Sequence, residues 1–105
     1  MRVSNYYMGK SKTMAVEFIN GKNVRDREDL YDKLMAKLGF PEYFGRNLDA
    51  LFDALTDPDV ITGKTYLTVI GTQTLIDSLG DYGAKFVKTL EDAAYENGDF
   101  VFLKY

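Results

Sequence analysis

The sequence predicts a small single α/β domain in which a three-stranded parallel sheet is packed with helices. Three short segments rich in β-branched and aromatic residues alternate with segments whose apolar residues recur at helical spacing. Helices between successive strands are typical of right-handed crossovers, which produce parallel sheets. A length of 105 residues fits one domain. We interpret residues 1–13 as a flexible leader or a non-native extension and residues 14–105 as the domain.

The first strand is predicted at Ala15–Ile19, a short apolar run interrupted by Glu17. The pair Asn20-Gly21 follows and is typical of a tight turn. The turn leaves open a return strand through Lys22–Val24, paired with the first strand as a hairpin.

The first helix is predicted at Arg27–Leu38, where leucines recur every four residues from Leu30. Asp26 suits the N-cap position, and Gly39 suits the position just after the helix. Both ends of this helix are therefore marked in the sequence.

The second helix carries an apolar stripe at the spacing i, i+3, i+4, i+7, formed by Leu48, Leu51, Phe52 and Leu55. Asn47 is its predicted N-cap, and the helix stops near Asp57-Pro58. At about 100° per residue, Asp49, Asp53 and Thr56 lie within about 60° of one another, away from the apolar stripe. The helix therefore presents an acidic face.

The remaining elements follow the same alternation. Lys64–Ile70 is rich in β-branched and aromatic residues and is predicted as a strand. A short helix around Leu75–Leu79 ends at Gly80, and a longer one runs from about Tyr82 to Glu96. Phe100–Leu103 is the predicted closing strand.

The composition narrows the range of functions. The chain has no cysteine, which excludes disulfides, thiolate nucleophiles and cysteine metal sites and fits a reducing compartment. It has no histidine, which removes the commonest general base and zinc ligand. No window approaches the ~20 apolar residues of a membrane span. We expect no catalytic residues, no cofactor and no metal, and a cytoplasmic protein.

The charge is uneven along the chain. All 16 acidic residues lie in residues 14–105, whereas three of the 13 basic residues lie in residues 1–13, so that the domain carries −6 and the whole chain −3. An acidic body repels nucleic acid and anionic membranes and attracts basic partners. We therefore expect a basic protein partner, no nucleic acid and no membrane.

The pair Asp49 and Asp53 has three interpretations. As a general acid and base it would make the chain a carboxylate-based hydrolase, which needs a concave pocket around both. Asp53 with Asp57 and Asp59 would make a metal site. As an acidic protein-binding face, the pair leaves a like-charge repulsion of ~0.2–0.5 kcal/mol in the free helix. The spacing also leaves open a pairing of Arg46, the nearest base, with Asp49 or Asp53 in the free protein, from which Arg46 would swing away on binding.

The segment from Pro41 to Thr56, PEYFGRNLDALFDALT, closely resembles the central segment of the barstar family, inhibitors of the extracellular ribonuclease barnase. The likeness covers residues 14–105, is strongest over 41–56 and is looser after Pro58. It implies a barstar-like α/β fold and a proteinaceous inhibitor whose acidic helix and preceding loop block the nuclease active site.

The resemblance also implies the residues of the contact. The aspartate matching Asp53 takes the place of a substrate phosphate, and Asp49 is a second anion. The backbone at Gly45 approaches the enzyme closely. An acid on the last helix also reaches the enzyme in the family, and the alignment leaves Glu91, Asp92 or Ala93 at that position here. The implied partner-binding residues, apart from that acid, are Tyr43, Gly45, Asn47, Leu48, Asp49, Phe52, Asp53 and Thr56.

Some positions depart from the family pattern. Phe52 stands where the family has tryptophan, Arg46 stands where it has an acid, and Asp57-Pro58 replaces a glycine and a tryptophan. We predict an inhibitor of a basic, barnase-like microbial ribonuclease, acting like an antitoxin and monomeric when free. A barstar-like module for another basic protein is the alternative. We expect Asp53→Ala to weaken binding far more than Asp57→Ala.

Overall fold

The computed structural model describes residues 14–105, and the interpretation of residues 1–13 as a leader lies outside them. Three strands and four helices alternate as predicted, which confirms the fold class. No helix in this range is long and apolar enough to cross a membrane. In chain order the elements are β1 (Ala15–Asn20), α1 (Arg27–Leu38), α2 (Leu48–Leu55), β2 (Thr65–Ile70), α3 (Thr72–Leu79), α4 (Asp81–Glu96) and β3 (Phe100–Lys104).

The sheet has the strand order β1-β2-β3, and both pairs are parallel. Each crossover therefore moves the chain one strand in the same direction. Two right-handed crossovers of this kind place their helices on the same face of the sheet. The sheet consequently has one face covered by helices and one that no element of residues 14–105 covers.

The return strand through Lys22–Val24, which the sequence left open, is not formed, whereas the tight turn at Asn20-Gly21 is confirmed. A short 3-10 turn, Gly21–Asn23, follows β1 instead, and the Asn20 side chain accepts a hydrogen bond from the backbone N of Lys22 at 3.0 Å. Gly21 is pressed against the start of α3, where an added Cβ would lie 2.3 Å from the Gly71 carbonyl oxygen. This contact directs the chain across the ends of the strands and not back along β1.

The core lies between the covered face of the sheet and the helices. Alternate strand residues point into it, as the two-residue period of a strand requires. The helices contribute leucine and phenylalanine stripes at helical spacing. Fully buried members include Ile19, Leu67, Val69 and Phe100 from the sheet and Leu30, Leu34, Leu51, Leu55, Phe86 and Leu90 from the helices.

A carboxylate with little exposure stabilises the start of α1. The Asp29 side chain is 8% exposed and accepts hydrogen bonds from Lys33 Nζ at 2.9 Å and from the backbone N of Arg25 at 3.0 Å. The bond from Lys33, followed by those from Arg25, holds the pKa of Asp29 well below its usual value. Its own backbone N donates to Asp26, the predicted N-cap.

Helix α2 is held in place from two sides. It packs along α4, and the Asn97 side chain after α4 donates a hydrogen bond to the Leu55 carbonyl at 2.8 Å. Leu51 and Leu55 are fully buried on the inner side of α2. The opposite side of α2 therefore has a fixed orientation toward solvent.

Candidate functional site

Two carboxylates project from the outer side of α2. Asp49 lies in the first turn and Asp53 one turn later, and both are exposed. Neither forms an ion pair within residues 14–105. The helix thus presents two negative charges that no ion pair within residues 14–105 neutralises.

The loop before α2 has one aromatic ring inside and one outside. Phe44 is buried, with its ring centroid 4.7 Å from that of Phe40 and 5.7 Å from that of Tyr31. Its neighbour Tyr43 is 88% exposed. Because Phe44 fixes the loop in the core, Tyr43 is presented to solvent at a defined place.

Asn47 joins this loop to the helix. Its Oδ1 accepts a hydrogen bond from Ala50 N at 2.8 Å, and its Nδ2 donates to the Gly45 carbonyl at 3.2 Å. The first bond confirms the predicted N-cap, and the second fixes the backbone of the loop. Gly45 is closely fitted, since an added Cβ would lie 3.2 Å from the Ala50 Cβ.

Arg46 does not pair with Asp49 or Asp53, the arrangement that its spacing left open. The Arg46 guanidinium turns to α1, where it bonds the carboxylates of Glu28 and Asp32. The hydrogen bond to Asp32 raises the already high pKa of the Arg46 guanidinium. Arg46 also has φ 54°, in the left-handed region. That backbone conformation aims its side chain away from the helix that follows.

A depression of about 200 Å³ lies between this loop and the second turn of α2. It brings together three of the predicted site residues, Tyr43, Gly45 and Asp53. Asp57, which is not among the predicted contact residues, also lines it. The signal available in the sequence was the departure at Asp57-Pro58, which directly follows the predicted contact residue Thr56. The remaining lining residues are Pro41, Phe44, Ala50, Ala54 and Val60.

Asp49 lines a different depression from Asp53. That second depression lies between α2 and α4, and Leu48, another predicted site residue, also lines it. The carboxylate-based hydrolase required one concave pocket around both aspartates, and the two side chains lie in separate depressions. The arrangement offers no shared acid and base site.

Glu91 and Asp92, the two acids of the last helix considered for the contact, lie on different sides of α4. Glu91 pairs with Lys104 of β3, with 2.7 Å between Oε2 and Nζ. Asp92 pairs with Lys88 at 3.0 Å, and Lys88 lines the depression beside Asp49. Asp92 is therefore the acid that lies on the α2 side of α4.

Two predicted residues of α2 have structural contacts of their own. Phe52 is half-buried and packs against the core. Thr56 ends the helix, and its hydroxyl donates to the Phe52 carbonyl at 2.8 Å. Both side chains stabilise the helix as well as bordering the outer surface.

The metal interpretation has no support from the geometry. Residues 14–105 contain no group of three or more acidic side chains placed to hold a metal ion. Asp57 Oδ1 instead accepts the backbone N of Asp59 at 2.8 Å, which closes a turn after α2.

The comparisons with known proteins agree with this geometry. A sequence model of the family described as Barstar (barnase inhibitor) matches residues 14–103. A Bacillus subtilis (strain 168) protein named "Putative ribonuclease inhibitor YrdF" is 55% identical over 38 residues, which are 36% of this chain. That match spans 42% of the relative's own length. Because the family model covers the whole described domain except its last two residues, the chain belongs to the barstar family.

Proposed function

We propose that this protein inhibits a basic, barnase-like ribonuclease by placing α2 and the preceding loop in the active site of the enzyme. The observation that carries the proposal is the pair of exposed carboxylates, Asp49 and Asp53, with no ion-pair partner within residues 14–105. The family description and the name of the Bacillus subtilis relative support the same class of function.

The chemistry follows from what a ribonuclease must bind. An enzyme that cleaves RNA holds phosphate with basic side chains, and a carboxylate can accept the same hydrogen bonds. Asp53, at the depression beside Tyr43, is the phosphate mimic in this proposal, and Asp49 is the second anion. Guanidinium and carboxylate pair in a planar, bidentate geometry, which adds orientation to attraction.

The neighbouring residues orient this pair. Asn47 holds the loop and the first turn of α2 together, so that Gly45 can bring its backbone close to the enzyme. Tyr43 supplies an exposed ring, and Asp92 extends the acidic surface toward α4. Leu48, Phe52 and Thr56 border the contact in this proposal.

The charge of the domain favours fast association. Residues 14–105 carry a net charge of −6, and Arg46 is neutralised by Glu28 and Asp32 on the side of α1. A basic enzyme is therefore steered toward an acidic surface, and added salt slows that step. We propose that the protein acts in the cytoplasm, where it keeps the nuclease inactive before export or after entry.

The test is a titration of the protein into an RNA-cleavage assay with a barnase-type ribonuclease. Stoichiometric loss of cleavage is expected from the wild type. Asp53→Ala should weaken inhibition by about tenfold to a hundredfold for each charge-assisted hydrogen bond lost. The matched control is Asp77→Ala, an exposed aspartate of α3 that removes the same charge far from α2.

Asp57→Ala is measured beside these two variants. It cannot serve as a matched control, because Asp57 and Asp53 line the same depression. Equal weakening by Asp53→Ala and Asp77→Ala would reduce the role of Asp53 to overall charge. No inhibition by a folded wild-type protein would move the target to another basic protein.

A further inference from the structure

One face of the sheet is mostly apolar and is not covered by any element of residues 14–105. Its polar residues are Asn20 and Thr68. We name this the open sheet face, formed by Val16 and Phe18 of β1, Tyr66 and Ile70 of β2, and Val101 and Leu103 of β3. These positions alternate with the core residues along every strand. The exposed fractions are 52% for Val16, 53% for Phe18, 44% for Ile70 and 41% for Leu103.

The register makes these side chains one continuous patch. Phe18 lies opposite Thr68 of β2, and Thr68 lies opposite Leu103 of β3, so that a row crosses the sheet. Thr68 in the middle of the row is itself buried. With Tyr105 at the end of β3, the exposed apolar surface is on the order of 400–600 Å², the upper range for a monomer.

Parallel sheets are almost always covered on both faces, because their strands are apolar on both sides. Here both crossovers place their helices on the same side, which leaves the second face without cover from within residues 14–105. A face of this size lies at the upper end of what monomers leave exposed, where such patches often serve as contact surfaces.

We propose that the occupant is a second copy of this chain, which packs its own open sheet face against the first. No charged residue lies on the face, although the chain carries a net charge of −3. An oppositely charged partner would find nothing to pair with there, whereas an identical face brings an equally uncharged apolar surface. Two-fold symmetry then satisfies both copies with the same contact.

The area sets the strength of the dimer. Two such faces bury roughly 800–1,200 Å² together, at the low end for specific interfaces. The dimer is therefore reversible, with a dissociation constant in roughly the micromolar to hundred-micromolar range. Face-to-face sheets pack about 10 Å apart with strands about 30° from parallel.

The dimer leaves the acidic face of each copy free. Helix α2 lies on the covered side of the sheet, so that the contact between copies is on the other side of each domain. One dimer would present two α2 faces, pointing away from each other. The proposal replaces the expectation of a free monomer and does not depend on the ribonuclease target.

The test is sedimentation velocity on the full chain between about 1 and 300 μM, the range set by the expected affinity. The wild type should shift from monomer toward dimer as its concentration rises. Phe18→Lys and Leu103→Lys, on opposite edge strands, should stay monomeric at the highest concentration. The matched control is Tyr95→Lys on α4, where an aromatic side chain that is 89% exposed lies off the sheet.

A wild type that stays monomeric at all concentrations would overturn the proposal. A dimer that persists in both sheet variants would also overturn it. The RNA-cleavage titration of Phe18→Lys should match the wild type, which separates this test from that of the inhibitor.

Discussion

Replacing Asn47 by alanine tests whether the cap that begins α2 also orders the proposed binding surface. The substitution removes two hydrogen bonds, from Ala50 N at 2.8 Å and to the Gly45 carbonyl at 3.2 Å. Losing an Asn N-cap costs about 1 kcal/mol of stability, and an exposed side-chain bond adds about 0.5 kcal/mol. We expect Asn47→Ala to lower the free energy of unfolding by about 1.5–2 kcal/mol.

Two variants separate the contributions. Asn47→Asp keeps an oxygen that caps the helix and loses only the donor to Gly45, so that it should lie within about 0.5 kcal/mol of the wild type. Asn23→Ala is the matched control, because its exposed side chain makes no hydrogen bond in residues 14–105. It should change stability by less than about 0.5 kcal/mol.

The assay is urea unfolding at constant pH, with thermal unfolding as a check. A loss of 1.5–2 kcal/mol corresponds to a fall of roughly 6–15 °C in Tm for a domain of this size. Inhibition should weaken as well, since Asp49 lies in the first turn that Asn47 caps. If Asn47→Ala and Asn23→Ala unfold at the same urea concentration, the cap does not hold this helix and the reasoning fails.

Two further predictions concern the charges around α1. Because the folded-state pKa of Asp29 is depressed, its stabilisation is complete above the unfolded value near ~3.9 and is lost as the pH falls below it. The Tm difference between wild type and Asp29→Asn should therefore narrow from about pH 6 to about pH 2, and a constant difference would contradict this origin. Arg46→Ala and Arg46→Gly both lose the bonds to Glu28 and Asp32, but only glycine adopts φ 54° without strain. Thermal unfolding should find Arg46→Gly more stable than Arg46→Ala, and the reverse order would show that the backbone at this position is unstrained.

The elements that the sequence predicted well are those with local signals at their ends. Asp26 and Asn47 are both N-caps in the structure, and Gly39 ends α1 in the left-handed conformation. The apolar stripe of α2 placed Asp49 and Asp53 on the outer side correctly. Helix caps and apolar periodicity depend on residues only a few positions apart, so they can be recognised in the sequence without knowledge of the fold.

The features that the sequence missed depend on distant neighbours. Arg46 is close in sequence to Asp49, but its partners Glu28 and Asp32 come from another helix. Asn20-Gly21 predicts a turn and leaves a hairpin open, but the contact of Gly21 with the Gly71 carbonyl decides the path of the chain. Likewise, which of the two acids of α4 lies beside α2 depends on how α4 packs. Glu91 lies toward β3, and Asp92 lies toward α2. None of these contacts has a periodic signature in the sequence.

The strand order also has a consequence for synthesis on the ribosome. No strand pairs with a neighbour through a hairpin, since residues 21–64 separate β1 from β2 and residues 71–99 separate β2 from β3. When α2 has emerged from the ribosome, α4, against which it packs, has not yet been synthesised. The sheet is complete only when Phe100–Lys104 has emerged, so that the surface supporting α2 forms after every other described element has been synthesised.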